Sequence, residues 1–369
     1  MKLLTVGPDN IYTYDTVKEF FASFELGPKD LLVSIEVIYK QFLEPYANGA
    51  NVILVDKYGA QEPTDVMIDE FIADAGKFDY DRIVAVGGGA VMDMSKVVAV
   101  AGGASIDDVI DHLPDFKRSV RLVLVPTTCG TGSEVTEIAA INRTRLGCKA
   151  GIAGPEMFAD DAVLVPELLY GLPDHVFATS SLDALVHSVE STLSPNSTPY
   201  TRMFGYEAMK MIISGYKAAG SPERRAKRNE LMRDFLIASD YAGISFDTGG
   251  CAAVHALSYQ LGGKYHVPHG ESNYAMFTGV LRNYMEIKPE GEILKMNQFI
   301  ADILGCDVAD VYDALETLIN KLLPKKALHE YGVTEQDLPE FADRVIKTQE
   351  RLMKNCFVPL DYDRVLKIF

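Results

Sequence analysis

The 369-residue chain carries 52 acidic against 35 basic side chains, a net charge of −17, with 48% hydrophobic and 24% charged residues. That composition belongs to a folded chain with enough length for two sizeable cores, and it excludes a disordered or low-complexity protein. The acidic balance disfavours nucleic acid and anionic membrane as partners, so a pocket for an anionic substrate would have to be built locally.

In chain order, the first half alternates short β-branched runs with amphipathic segments. Leu31-Leu32-Val33-Ser34-Ile35 reads as a strand, as do 51–55, 82–86 and 122–125. A helix is expected over 64–75, with Thr64 as its N-cap. Alternation of this kind predicts a mostly parallel sheet covered on both faces. From about Pro173 the chain changes to long helical patterns, at 180–193, 200–219, 224–242, 295–304 and 308–323, punctuated by proline and glycine. The expected fold is therefore α/β. A Rossmann-like parallel-sheet dinucleotide domain at 1–165 precedes an all-helical metal-binding domain at 166–369, with the seam somewhere in 160–175.

Five cysteines, an odd number with no Cys-x-x-Cys pair, suit a reduced cytoplasm better than a disulfide framework. The opening Met-Lys-Leu-Leu-Thr-Val-Gly-Pro-Asp has no apolar run of signal-peptide length, and the apolar stretch at 97–104 is too short to span a bilayer.

Two loops carry nucleotide-like chemistry. The strand Arg82-Ile83-Val84-Ala85-Val86 runs into Gly87-Gly88-Gly89-Ala90 and then a helix start. Glycines there let the backbone approach a pyrophosphate, and the helix N-terminus offers free N–H groups. A plain β–α turn without ligand fits three glycines equally well, and the pattern is not G-x-G-x-x-G. The next strand ends in Pro126-Thr127-Thr128-Cys129-Gly130-Thr131-Gly132-Ser133-Glu134-Val135-Thr136. Its hydroxyls suit ribose, phosphate and carboxamide, although they also suit helix capping. Two such loops on neighbouring strands favour a nucleotide site.

Four residues further on have metal-ligand spacing. Asp183 and His187 lie four apart in Ser-Leu-Asp-Ala-Leu-Val-His, so a helix capped near Thr179 presents both on one face, with Glu190 one turn beyond. His255 sits in the nearly uncharged stretch Gly-Gly-Cys-Ala-Ala-Val-His, where a buried imidazole needs a partner. His269, in Val-Pro-His-Gly, is expected on a turn. Taken singly, an Asp or His of this kind is usually a solvated or capping residue. Taken together, one carboxylate and three imidazoles make a complete ligand set for a divalent transition metal. His266 is kept as a pocket residue, and His112, His175 and His329 are placed on the surface.

With these segments in hand, the chain resembles the iron-containing (group III) alcohol dehydrogenase family. The resemblance rests on Gly-Gly-Gly-Ala-Val-Met-Asp, Pro-Thr-Thr-Cys-Gly-Thr-Gly-Ser-Glu-Val-Thr, Leu-Asp-Ala-Leu-Val-His-Ser-Val-Glu, and the stretch from His-Ala-Leu-Ser-Tyr to Pro-His-Gly. It covers nearly the whole chain in the right order. The resemblance implies Fe²⁺ or Zn²⁺ on Asp183, His187, His255 and His269, and NAD as cofactor. It implies Gly88, Gly89, Ala90 and Asp93 along the pyrophosphate and ribose, Thr127, Thr128, Thr131 and Thr136 lining the nucleotide, and Lys149 on the ribose hydroxyls. It also implies a small alcohol or aldehyde substrate bearing a carboxylate, with interconversion of 4-hydroxybutyrate and succinate semialdehyde as the expected reaction, and a homodimer or larger homo-oligomer.

Three departures stand out. Many members carry a histidine four residues after the third ligand, where this chain has Tyr259, so a proton relay would pass through Tyr259, His266 or the ribose hydroxyls. Many NAD-preferring members have an aspartate at the end of the second strand, where this chain reads Ile35-Glu36. Many have Asn before the next Pro-Thr, where this chain has Glu62. Competing expectations are a general short-chain alcohol, diol or lactaldehyde reductase, a lyase of the dehydroquinate synthase type, and a nucleotide- and metal-binding sensor without turnover. Lys264 and His266 are the candidates for the substrate carboxylate.

Overall fold

The computed structural model describes every residue except 1, 6, 60–61, 146–147, 220–222 and 224, and for 148–150 and 225 it describes the backbone alone. The chain divides into two compact units, Val6–Leu172 and Pro173–Phe369, and the second also takes in Met1–Thr5. Met1–Thr5 belongs there because Thr5 N–H donates to Thr248 Oγ1 at 2.7 Å and Thr198 Oγ1 donates to the Leu3 carbonyl at 2.7 Å.

The first unit runs β1 (Asn10–Thr13), α1 (Val17–Ser23), β2 (Asp30–Ser34), α2 (Glu36–Ile38), β3 (Asn51–Leu54), α3 (Asp65–Ala75), β4 (Arg82–Gly87), α4 (Gly89–Ala101), α5 (Ile106–His112), β5 (Arg121–Pro126), β6 (Ile138–Arg143), β7 (Cys148–Ala153) and β8 (Asp161–Leu164). Six strands form one parallel sheet in the order β1-β8-β5-β4-β2-β3, while β6 and β7 form a separate antiparallel hairpin. The central strands are apolar on both faces: Leu31, Ile83 and Leu122 are fully buried on one side, and Leu32, Val84 and Val123 on the other. Burial on both faces is what a parallel sheet covered by helices requires. Thr64 caps α3, its Oγ1 accepting from Met67 N–H at 3.1 Å.

The connections from β2 and β4 run to opposite sides, so the strand order reverses between these two neighbours. The carboxyl ends of strands at such a reversal open a crevice suited to a ligand. Ser34 Oγ donates to the Val86 carbonyl at 2.7 Å and ties the two strand ends together there.

The second unit contains helices alone among the described residues: α6 (Asp174–Leu193), α7 (Pro199–Ala219), α8 (Arg225–Glu230), α9 (Met232–Gly249), α10 (Ala253–Tyr265), α11 (His269–Ile287), α12 (Glu292–Leu304), α13 (Val311–Ile319), α14 (Asp337–Thr348), α15 (Glu350–Met353) and α16 (Tyr362–Ile368). No single described helix is long and apolar enough to cross a membrane.

Two expectations for this half need correction. The helix bearing Asp183 begins at Asp174 after Pro173, not near Thr179. The Thr179 and Ser181 hydroxyls donate back to the carbonyls of His175 and Phe177, at 2.9 and 2.7 Å, so they are satisfied within the helix and cap nothing. His269 is the first residue of α11 rather than part of a turn, because Pro268 serves as the N-cap of that helix.

Candidate functional site

Three helices of the second unit bring the four expected ligands together. Asp183 and His187 come from α6, His255 from the first turn of α10, and His269 from the start of α11. Asp183 Oδ1 lies 3.4 Å from His269 Nε2, 3.6 Å from His255 Nε2 and 3.8 Å from His187 Nε2. The Nε2 atoms of His187 and His255 are 3.1 Å apart. Three imidazole nitrogens thus converge on one carboxylate oxygen in a region where Asp183, His187 and His255 are buried and His269 is 27% exposed. Converging lone pairs of this kind suit a divalent transition metal, and they leave access on the His269 side.

Neighbouring side chains fix these ligands. Glu190 Oε2 lies 2.6 Å from His255 Nδ1, and the same carboxylate accepts from the N–H groups of Ala252 and Val254 at 3.0 and 2.6 Å. Ala252, the N-cap of α10, has no side chain that could do this. Glu190 therefore caps one helix from another and orients its first histidine. Asn273, one turn after His269, donates its Nδ2 to Asp183 Oδ1 at 2.8 Å. His187 stacks on Phe246, ring centroids 4.3 Å apart, and on His255 at 4.7 Å.

The electrostatics follow from this packing. Burial raises the Asp183 carboxyl, but the imidazoles of His187, His269 and His255 outweigh it and hold the group well below the usual carboxylate range. Burial lowers His187, yet Asp183 carries it above its ordinary value, and His255 is raised further still. Cys251 is a ligand-like neighbour that the sequence reading passed over. Burial raises its thiol, but His255 and His187 bring it down to about 7.

Tyr259 stands one helical turn beyond His255, its ring centroid 6.0 Å from that of His269. His266 is an exposed residue at the left-handed end of α10, φ +54°, and no described contact joins it to the four ligands. Lys264 pairs with Asp337 and, at 3.5 Å, with Glu340, so its charge is already matched. His175 is surface-exposed as expected, and it bonds Glu271 at 3.0 Å.

In the first unit, the turn Gly87–Gly88–Gly89 opens α4, whose N-cap Gly88 has no side chain to occupy the free N–H groups. Thr128 and Thr131 face this turn. A Cβ on Gly88 would sit 3.6 Å from Thr128 Cγ2, and one on Gly89 would sit 2.6 Å from Thr131 Cγ2. The close approach at Gly89 leaves no room for a side chain, so the backbone at this helix start stays bare. Gly88, Gly89 and Ala90 are partly exposed, as are Thr128 and Thr131. Thr127 and Thr136 are buried behind them.

Asp93 is engaged within the unit. Its Oδ1 accepts from Ser133 Oγ at 2.6 Å and its Oδ2 from Ala140 N–H at 2.9 Å, which ties the threonine loop to α4. Lys96, fully buried and absent from the sequence-based set, donates to the Ile138 carbonyl at 2.8 Å and to Thr136 Oγ1 at 3.3 Å. Lys149 lies on β7, and its side chain falls outside the described residues. Glu36 begins α2 just past β2 and pairs with Lys40.

Known proteins match along the whole chain. The family profile described as iron-containing alcohol dehydrogenase matches residues 12–166, and that of the Fe-containing alcohol dehydrogenase family, C-terminal, matches 177–369. The chain is 44% identical over 369 residues to the 4-hydroxybutyrate dehydrogenase of Clostridium kluyveri, covering 100% of this chain and 99% of that one. It is 33% identical over 310 residues to the sulfoacetaldehyde reductase of Bilophila wadsworthia, covering 80% and 77% of the two chains. The solved structure of sulfoacetaldehyde reductase from Bifidobacterium kashiwanohense in complex with NAD⁺ has a TM-score of 0.82 at 24% identity, over 100% of this chain and 98% of the other. An alcohol dehydrogenase from Oenococcus oeni has a TM-score of 0.84 at 21% identity, over 99% and 98%. At those identities the likeness is one of fold. The family profiles and the full-length relative carry the assignment: this chain belongs to the iron-containing alcohol dehydrogenase family.

Proposed function

We propose that the protein is an NAD-dependent dehydrogenase that interconverts 4-hydroxybutyrate and succinate semialdehyde at one divalent metal, Fe²⁺ or Zn²⁺. The observation that carries this reading is full-length identity of 44% to a 4-hydroxybutyrate dehydrogenase, joined to the convergence of Asp183, His187, His255 and His269. An anionic substrate tail is also supported by the second relative, since sulfoacetaldehyde is a short aldehyde that ends in a sulfonate anion.

When bound, the ion supplies a Lewis acid for the substrate oxygen, and the nicotinamide accepts or returns a hydride. Asp183, His187, His255 and His269 bind the ion. Glu190 holds the proton of His255 on Nδ1 and so leaves the Nε2 lone pair facing Asp183. Asn273 orients the Asp183 carboxylate. The bare backbone at Gly88 and Gly89, with Thr128 and Thr131, binds the dinucleotide phosphates. Asp93, Thr127, Thr136 and Lys96 hold that loop in place, and Lys149 remains a candidate for the ribose. In oxidation of the alcohol, the substrate hydroxyl proton would pass to Tyr259 Oη as the phenol gives its own proton to solvent. We assign the relay to Tyr259 rather than His266, because Tyr259 lies beside His269 and His266 is exposed at the helix end.

The test compares kcat/KM for succinate semialdehyde and butanal, each with NADH and NADPH. Strong preference for the acid with NADH supports the reading. Equal rates for the two aldehydes reduce it to a general short-chain alcohol dehydrogenase. In the same assay Tyr259→Phe lowers kcat by roughly 100-fold if the phenol carries the proton, with metal content unchanged. An unaltered kcat removes Tyr259 from the relay.

A further inference from the structure

The potential ligands around His255 fall into two overlapping sets. Asp183, His255 and His269 each offer a donor atom within 4.8 Å of the others, and so do His187, Cys251 and His255. The sets share His255 and differ in chemistry. The first adds a carboxylate oxygen, and the second adds a thiol sulfur.

Cys251 is held firmly at this position. Its carbonyl accepts from Asn355 Nδ2 at 2.9 Å, and the next N–H groups, of Ala252 and Val254, are bound by Glu190. Gly250, at φ +79°, lets the chain turn against Asn355: a Cβ there would come within 2.5 Å of Asn355 Nδ2. The turn therefore presents Cys251 toward the two histidines by construction.

Carboxylate and imidazole donors accept Fe²⁺ readily, whereas a thiolate with two imidazoles favours a softer ion. Two nitrogens and one sulfur leave a fourth tetrahedral position open, an arrangement in which zinc is stable.

We propose that His187, Cys251 and His255 form a second, thiolate-bearing metal position that takes a thiophilic divalent ion of the zinc class. It competes with the Asp183-bearing position, because His187 and His255 serve both and one ion occupies the pair at a time. On binding, the Cys251 S–H bond breaks, its proton passes to solvent, and a sulfur–metal bond forms with no change of oxidation state. The identity of the ion thus decides which side of His255 it occupies. The inference rests on the reading of His187 and His255 as metal ligands.

The test uses the full-length protein, freed of metal and kept reduced under anaerobic conditions, with Co²⁺ as the probe. One equivalent of Co²⁺ is expected to give a near-ultraviolet sulfur-to-cobalt charge-transfer band in the wild type. The band is expected to strengthen in Asp183→Ala, where the carboxylate-bearing set is broken, and to vanish in Cys251→Ser. Zn²⁺ affinity is expected to fall at least tenfold in Cys251→Ser, with Fe²⁺ affinity unchanged. Cobalt bound without a thiolate band in either wild type or Asp183→Ala overturns the second position and leaves the metal reading standing. A band that survives Cys251→Ser overturns it too, because the sulfur is then another cysteine. Failure to bind cobalt at all overturns both. The wild-type titration needs no variant, so misfolding of a variant leaves it decisive.

Discussion

Glu190 Oε2 lies 2.6 Å from His255 Nδ1, and this single contact joins the second half of α6 to the start of α10. A carboxylate on one ring nitrogen fixes the tautomer and directs the other nitrogen's lone pair at the metal. Glu190→Gln keeps the shape but loses the charge, and is expected to weaken metal affinity by roughly 10–100-fold. Glu190→Ala also strips the α10 N–H groups of their acceptor, which costs about 1 kcal/mol more in stability. Chelator competition and thermal melts measure the two effects. Unchanged metal affinity in Glu190→Gln would show that the contact is structural only.

Gly89 and Thr131 set the shape of the phosphate turn. A Cβ at Gly89 would lie 2.6 Å from Thr131 Cγ2, so Gly89→Ala forces the threonine loop outward. The overpacking is expected to cost about 1–3 kcal/mol of stability and to raise the KM for NADH. Adding Thr131→Ser removes the obstructing methyl and should restore part of both. An NADH titration by fluorescence decides the matter, and an unchanged affinity in Gly89→Ala would place the pyrophosphate elsewhere.

Metal binding should depend on pH in a direction the histidines set. His187 and His255 sit above the ordinary value of 6.5 in the metal-free protein. Their protonated forms therefore stabilise the metal-free fold fully below 6.5, and that contribution is lost as pH rises through the raised values. Asp183 is depressed, so its contribution is present above the ordinary carboxylate range and is lost only as pH falls well below it. Near neutrality protons compete with the ion for the histidines and for the Cys251 thiol, but not for Asp183. The melting-temperature difference between metal-loaded and metal-free protein is thus expected to widen from pH 6 to pH 8. A difference that is flat or narrows over that range would contradict the histidine ligand set.

Much of this arrangement was legible in the sequence, for reasons that differ by element. β2, β3, β4 and β5 are apolar on both faces and stood out as runs, and the i, i+4 spacing of Asp183 and His187 survives any error in where α6 begins. β1 and β8 were missed because four residues such as Asn10–Thr13 and Asp161–Leu164 carry too little pattern. The β6–β7 hairpin follows a loop rich in glycine and hydroxyls that masks its onset. Glu190 was visible on the right face of α6, but its partners His255, Ala252 and Val254 lie more than sixty residues away. Asn273 and Cys251 act only through a three-dimensional convergence, and no spacing rule announces them. Lys264 illustrates the reverse case, a basic residue close in sequence to the site whose charge is matched by Asp337.

The most direct test of the account is metal analysis paired with NADH oxidation on succinate semialdehyde, for wild type and Asp183→Ala prepared identically. The account predicts about one divalent ion per chain and turnover in the wild type, with iron content and turnover lost or severely reduced in the variant while its fold is retained. Turnover in Asp183→Ala at the wild-type rate, or full activity in a wild type stripped of metal, would contradict it.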